Sequence, residues 1–520
     1  MQLAALCTDP FVLSCTFLCL LLHLALRRSL NHRSSSRLPP GPPGLPILGA
    51  LPFVGPAPHV GLAALARKHG PVMYLRMGTC GVVVASSPSA ARTFLKALDV
   101  RFANRPAVAS AADITYGRQN MVFADYGPKW KLMWKLASVS VHLLAPRAVA
   151  DWARVRRDEA GRVLRGMSEA AEVTGRAVVV PEVLVCALAN IVGQITVSRR
   201  VFDAQGDESS SYKEMIVSLL TGTGLFNISD FVPALSWMDL QGVQARLRRV
   251  HRQFDGLITK LLAEHAATAE ERARDGRLDF VDRLRASSKD GGDGNDDGET
   301  ITEVNIKGLI FDMFTAGTDT SSIIVEWAMA EMINNPSIMA RAQEEMDRVV
   351  GRGRRLEESD IANLPYLQAI CKEAMRLHPS TPLSLPHFSF EECEVDGHHV
   401  PANTRLLINI WAIGRDPAAW EDPLEFRPER FMSGPAAKID PMGNNFELIP
   451  FGAGRRICAG KLAGMVFVQY FLGTLVHAFE WRLPDGEEKV DMAETFGLAL
   501  PKAVPLKALV TPRLVPAAYA

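Results

Sequence analysis

No charge of either sign prevails in this 520-residue chain: Lys and Arg together number 57, and so do Asp and Glu. That balance lacks the basic excess by which nucleic-acid and polyanion binders are known, so a nucleic-acid partner is not expected. Cysteine is scarce and scattered, at positions 7, 15, 19, 80, 186, 371, 393 and 458. No two cysteines form a C-x-x-C pair and none has zinc-finger spacing, which argues against a disulfide framework or structural zinc and suits a reducing compartment. Aromatic residues make up only 7% of the chain while aliphatic residues are plentiful, a composition closer to a large helical protein than to an all-β one. No Gly-x-Gly-x-x-Gly follows a strand-like run, so a dinucleotide-binding turn is not expected. Length alone suggests about three domains.

The N-terminal end is different in character. Phe11 to Leu26 is nearly all apolar and, with Leu3 to Leu6, comes close to the ~20 residues of a bilayer span. Arg27, Arg28 and Arg33 follow it, which keeps the chain beyond on the cytoplasmic side and disfavours a cleaved secretory signal, whose basic residues precede the apolar run. The sequence therefore predicts a membrane anchor at 1–28, in contact with lipid. A basic and Pro-rich hinge at 29–45 (Leu38-Pro-Pro-Gly-Pro-Pro-Gly44) serves as a stiff spacer before one body at 46–520. Residues 150 to 290 read mostly as amphipathic helix. Ser287 to Glu299 reads as a surface linker. Its Asp293-x-Asn295-x-Asp297-Gly298 opens like a calcium loop, but the closing acid would fall at Val304.

Four stretches carry chemistry. In Phe451-Gly-Ala-Gly-Arg-Arg-Ile-Cys-Ala-Gly460 a lone cysteine sits among glycines and arginines, directly before an apolar helix. Glycine lets the backbone turn tightly and approach a flat partner, while Arg455, Arg456 and the helix start favour a thiolate at Cys458. Ala316-Gly-Thr-Asp-Thr-Ser321 interrupts the longest helical pattern, Ile301 to Asn334. It is a poor choice for helix stability, and reads either as a small-residue crossing of two helices or as a functional break. Glu373 and Arg376 stand three apart on one helix face, as an exposed pair commonly does, and Pro428-Glu-Arg-Phe431 follows later in the chain. Pro379 to Pro386 leads through His387 into short strands.

Four motifs, Ala316 to Ser321, Glu373 to Arg376, Pro428 to Phe431 and the cysteine loop, resemble in the same chain order those of the cytochrome P-450 family, and the haem-thiolate pattern is complete at Phe451, Gly454, Arg456, Cys458 and Gly460. The resemblance runs from the Pro-rich hinge to the C-terminus, so the three domains suggested by length give way to one body. It implies a mainly α fold with a smaller β region, and a haem b held between the long central helix and the cysteine loop. Cys458 would be the axial iron ligand. Ala316 and Gly317 would leave room for dioxygen, Thr320 would hold it or a water, and Asp319 would help bring protons. Glu373, Arg376 and Arg430 would form a buried structural triad behind the haem. Trp130 and Arg456 would face the propionates, with Trp134 and His387 at two positions where the family commonly carries arginine. The resemblance further implies monooxygenation with O2 and electrons from NADPH through NADPH-cytochrome P-450 reductase.

A closer resemblance is to plant flavonoid B-ring hydroxylases. It rests on Val122 to Pro128, Gly224 to Ile228, Trp237 to Gly242, Asn409 to Pro417, Gly443 to Pro450 and Phe496 to Leu500. Ala499 resembles the 3',5'-hydroxylating type, since the 3'-hydroxylating type tends to have a hydroxyl residue there. A small apolar side chain leaves room for a second attack on the ring. Phe123, Phe226, Leu383, Ala499 and Leu500 would line the substrate pocket. The implied substrates are flavanones, dihydroflavonols and flavonols on the route to anthocyanins, at the endoplasmic reticulum membrane. The rival readings are a flavonoid 3'-hydroxylase and a haem-binding protein with little or no turnover.

Overall fold

The computed structural model describes residues 38–520, except 138–145, 175, 204–206, 275, 277 and 290–298. The expected anchor and the calcium-like stretch lie outside the described residues. The described end of the hinge is not a free spacer: Tyr74 N–H donates to the Pro40 carbonyl at 3.0 Å, and Gly49 bridges to Met77. This docks the Pro-rich stretch on the edge of a sheet.

That sheet begins after helix α1 (Pro58–His69) with the hairpin β1 (Val72–Met77) and β2 (Cys80–Ala85). Gly78 turns the hairpin at φ +57°, a region open to glycine at little cost. Pro128 then opens α2 (Pro128–Lys135), a position where its missing N–H would be unsatisfied in any case. The helices α3 (Ala153–Glu169), α4 (Val180–Val197), α5 (Asp207–Gly224) and α6 (Val243–Ala267) follow. The long helix α7 (Glu303–Asn334) is started by a capping box, in which Thr302 Oγ1 accepts from Asn305 N–H and Asn305 Oδ1 from Thr302 N–H. After α8 (Pro365–Leu377) the chain returns to the sheet with β3 (His387–Ser389) and β4 (Thr404–Ile408). It ends with α9 (Lys461–Ala478), β5 (Phe479–Arg482) and β6 (Lys507–Pro512).

The strand order is β1-β2-β4-β3, with β2 and β4 parallel (Gly81–Ala85 beside Thr404–Ile408) and the other pairs antiparallel. Val178–Val179, β6 and β5 make a second, smaller sheet. Helices dominate and one large core runs through them. α4 packs along α7, and α7 also meets α8 and α9. By length and composition α4 and α9 would suit a bilayer, but they are 89% and 67% buried in the protein. They are apolar all round because they are core helices. The architecture is mainly α with a smaller β region, as the motifs implied.

Candidate active site

A cavity of about 370 Å³ lies between α7 and the loop before α9. Its floor is the cysteine turn. The Cys458 N–H donates to the Phe451 carbonyl at 2.9 Å and closes the loop, and the Cys458 side chain is open to the cavity. Phe451 and Gly460 also line it, and a Cβ at Gly464 would come within 3.2 Å of the Phe451 ring. Burial pushes the Cys458 thiol up, with Gly460 N–H and Lys461 acting the other way. The expected help from the arginines is missing. Arg455 turns away to Asp99, with its N–H 2.9 Å from Asp99 Oδ1. Arg456 donates to the carbonyls of Ala103, Met121 and Ala124 at 2.5, 3.4 and 2.6 Å. Gly454, expected at the cofactor, is outside the cavity. It has φ +71° and a Cβ there would meet Leu95 O at 2.3 Å, so its role is the shape of the turn.

The roof is α7, where Ala316, Gly317 and Thr320 line the cavity. Thr320 Oγ1 donates back to Ala316 O at 2.6 Å, one helical turn away. Beside Gly317, a Cβ would reach Val192 of α4 at 3.4 Å, so the glycine also serves the helix crossing. Both sequence readings of this stretch, crossing and functional break, thus have a basis. Asp319 is outside the cavity lining. It is buried, its Oδ2 has no hydrogen-bond partner among the described residues, and burial raises its carboxyl to about 6 against the pull of Lys213.

The side wall carries the charge. Arg456 stands over the Trp130 ring at 4.6 Å, and Trp130 and Trp134 stack with centroids 6.3 Å apart. Both tryptophans line the cavity; no lysine of α2 does. His387 lines it as well, but its Nδ1 bonds the Phe102 carbonyl at 2.9 Å. Burial, then Arg105 and Arg456, lower it to about 3. A neutral ring with its one proton given to Phe102 has only an acceptor left at Nε2, so His387 does not supply the donor expected of it.

Arg105 takes up that part of the wall, and sequence reasoning missed it. It is buried, lines the cavity, and donates to the carbonyls of Val122, Leu385 and Pro386 at 3.2, 2.9 and 2.9 Å. Burial and the neighbouring Arg456 lower its pKa well below the ordinary value. Among the described residues no carboxylate comes within ion-pair distance of Arg105 or Arg456.

The triad behind the floor is fully buried at Glu373 and nearly so at its partners. Arg376 reaches Glu373 at 2.7 and 2.8 Å, and Arg430 Nε reaches it at 3.0 Å.

A family model described as "Cytochrome P450" matches residues 39–507. The chain belongs to the cytochrome P450 family. Solved P450 structures share its shape. A zebra fish cytochrome P450 with Abiraterone superposes with a TM-score of 0.71 at 25% identity, covering 88% of this chain and 100% of that one. Among curated relatives, a "Flavonoid 3',5'-hydroxylase" of Eustoma exaltatum subsp. russellianum is 56% identical over 478 residues, 92% of each chain. One of Solanum melongena is 55% identical over 92% of this chain and 91% of its own. A "Flavonoid 3'-monooxygenase" of Arabidopsis thaliana is less similar, 44% identical over 98% of both chains. The chain is thus a haem-dependent monooxygenase of this family.

The residues present fit a P450 haem. A thiol on the cavity floor offers an iron ligand, and the buried Arg105 and partly buried Arg456, which repel one another, call for anions, which a haem's propionates supply.

The pocket residues divide. Phe123 and Ala499 line the main cavity. Phe226 and Leu383 line a smaller one of about 80 Å³, which shares Phe123, Thr223, Ser384 and Leu498 with it. Leu500 lines neither. It is buried, and its carbonyl and N–H are taken by Trp327 and Ser380. It holds the hairpin that presents Ala499.

Proposed function

We propose that this P450 hydroxylates the B-ring of flavonoids at the 3' and 5' positions, acting on flavanones, dihydroflavonols and flavonols. The observation that carries the reading is 53–57% identity, over more than nine-tenths of the chain, to relatives named flavonoid 3',5'-hydroxylase, against 44–45% for those named flavonoid 3'-monooxygenase. Ala499 supports it: the side chain is small, lines the cavity and is backed by Ile323 and Trp327.

Cys458 would hold the iron, and Arg105, Arg456 and Trp130 the charged edge of the haem. Bound there, the haem supplies oxygen activation. Thr320, with its hydroxyl at the cavity, positions a water or the oxygen, and Asp319, whose carboxyl burial raises to about 6, takes up and releases protons beside it on α7. Phe123, Leu498 and Ala499 orient the ring. The triad of Glu373, Arg376 and Arg430 keeps the floor in place. Electrons come from NADPH through NADPH-cytochrome P-450 reductase. The anchor at 1–28 and hinge at 29–45 tie the body at 46–520 to the endoplasmic reticulum membrane, on its cytoplasmic side.

Two measurements test the reading. The reduced protein with carbon monoxide should show the thiolate-type Soret band, and reductase-supported turnover of naringenin should give a product with a di- and then a trihydroxylated B-ring. Monohydroxylation that never proceeds further would identify a 3'-hydroxylase instead. A normal Soret band with no turnover would favour a haem-binding protein of another use.

A further inference from the structure

One face of α7 grips a single short segment of chain. Asn305, Gly308 and Asp312 are spaced three and four apart and so project on one side. Asn305 Nδ2 donates to the Gln119 carbonyl at 2.9 Å. Gly308 lets the segment lie directly on the helix, where a Cβ would stand 3.1 Å from Asn120 Cα. Asp312 then closes the contact. Its Oδ1 accepts from Asn120 Nδ2 at 2.5 Å, and its Oδ2 from the N–H groups of Met121 and Val122 at 2.9 and 3.2 Å. The Asn120 carbonyl oxygen Oδ1 is itself taken by Phe123 N–H at 3.2 Å. Asn120 and Asp312 are both buried, and no cation pairs with Asp312 among the described residues. Burial pushes its carboxyl up to about 7 despite these three donors.

The other side of the same peptides faces the cationic wall. The Met121 carbonyl accepts from Trp130 Nε1 at 3.0 Å, Val122 from Arg105 at 3.2 Å and Ala124 from Arg456 at 2.6 Å. The peptide that joins Met121 to Val122 therefore lies between Asp312 at its N–H and Trp130 and Arg456 at its carbonyl, and each end strengthens the other. Met121, Val122 and Phe123 also face the cavity. We infer that Asp312 is a positioning residue that latches segment 119–123 onto α7, and so sets both the wall against which substrate rests and the placement of Arg105 and Arg456. This goes beyond the flavonoid assignment and rests on it only for the choice of substrate.

The donor and acceptor pattern supplies the test. Asp312→Asn keeps the shape and one acceptor but sets an NH2 group against Asn120 Nδ2. Turning the Asn120 amide removes that clash and breaks the bond from Phe123 N–H. Exchanging the two residues, Asn120→Asp with Asp312→Asn, restores every bond at unchanged net charge: residue 312 accepts from Met121 and Val122 and donates to residue 120, which accepts from Phe123. In the haem-loaded full chain, Asp312→Asn should speed amide hydrogen exchange of 121–123 at least tenfold, raise KM for naringenin more than it lowers kcat, and change the ratio of di- to trihydroxylated B-ring product. The exchanged pair should return all three towards wild type. Wild-type exchange and product ratio in Asp312→Asn would overturn the inference. So would an exchanged pair as impaired as the single variant, including one that fails to retain haem alongside it. Hydrogen exchange needs no flavonoid turnover, so a failure of the substrate assignment would be read separately.

Discussion

Trp327 donates its indole N–H to the Leu500 carbonyl at 3.0 Å, and both side chains are fully buried. Together with the Leu498 N–H to Leu220 O bond and the Leu500 N–H to Ser380 O bond, it holds the hairpin tip that carries Ala499. The Ala499 side chain therefore has little freedom to withdraw from the ring it faces. Ala499→Thr should leave the first hydroxylation largely intact and disfavour the second by about 1–3 kcal/mol. The ratio of tri- to dihydroxylated B-ring product from naringenin measures it, and an unchanged ratio would remove this residue from the account of regiochemistry.

Arg105 and Arg456 share the haem's charged edge in this reading, so neither should suffice alone. Arg105→Ala and Arg456→Ala are each expected to weaken haem retention by about 1.5–3 kcal/mol, the scale of a hydrogen bond to a charged group. Haem transfer to apomyoglobin gives the comparison. Retention unaffected by Arg105→Ala would show Arg456 to be the sole anchor on this wall.

Glu373 is wholly buried and accepts from two arginines, and Arg376 donates further to the carbonyls of Gly414, Pro423 and Glu425. Removing one partner leaves a buried charge unpaired, at about 3–5 kcal/mol. Glu373→Gln and Arg376→Ala should each lower the yield of folded haem protein sharply, and Arg376→Lys should rescue little because it lacks the planar fork. An apparent Tm for Arg376→Ala close to wild type would contradict the triad's structural role.

Glu326 offers a pH signature away from the haem. Its Oε1 accepts from Leu506 N–H at 2.8 Å, and burial raises its carboxyl to about 7 against Leu506 N–H, Lys213 and Lys502. A carboxyl raised above its unfolded value holds an extra proton in the folded state. Its stabilising contribution is complete below the unfolded pKa and disappears as pH rises through about 7. Glu326→Gln keeps the acceptor without the titration. The apparent Tm of the variant relative to wild type should rise by a few degrees between about pH 5 and about pH 8. A constant difference would refute the shift.

What the sequence made readable was local. Cys458 and its glycines, the Ala316 to Ser321 break and the Glu373/Arg376 pair are each encoded within a turn or two of chain, where spacing alone carries meaning. Arg105 was invisible because its role arises from meeting Arg456 across the fold, and nothing in its neighbours in sequence distinguishes it from a surface arginine. Arg455 misled for the same reason: adjacent to the cysteine loop's core in sequence, it is drawn off by Asp99. Asp319 and Thr320 are consecutive, yet the helical turn of about 100° per residue leaves only Thr320 facing the cavity. Leu500 stands next to Ala499, yet it is buried outside the cavity, where Trp327 and Ser380 hold its backbone.

The parallel pairing of β2 with β4 sets a timetable for synthesis. The partner of Gly81–Ala85 is made roughly three hundred residues later. At ~5–20 residues per second the nascent chain waits on the order of tens of seconds for it. Throughout that interval one edge of the β1–β2 hairpin has no native partner and stays open to pairing with another chain.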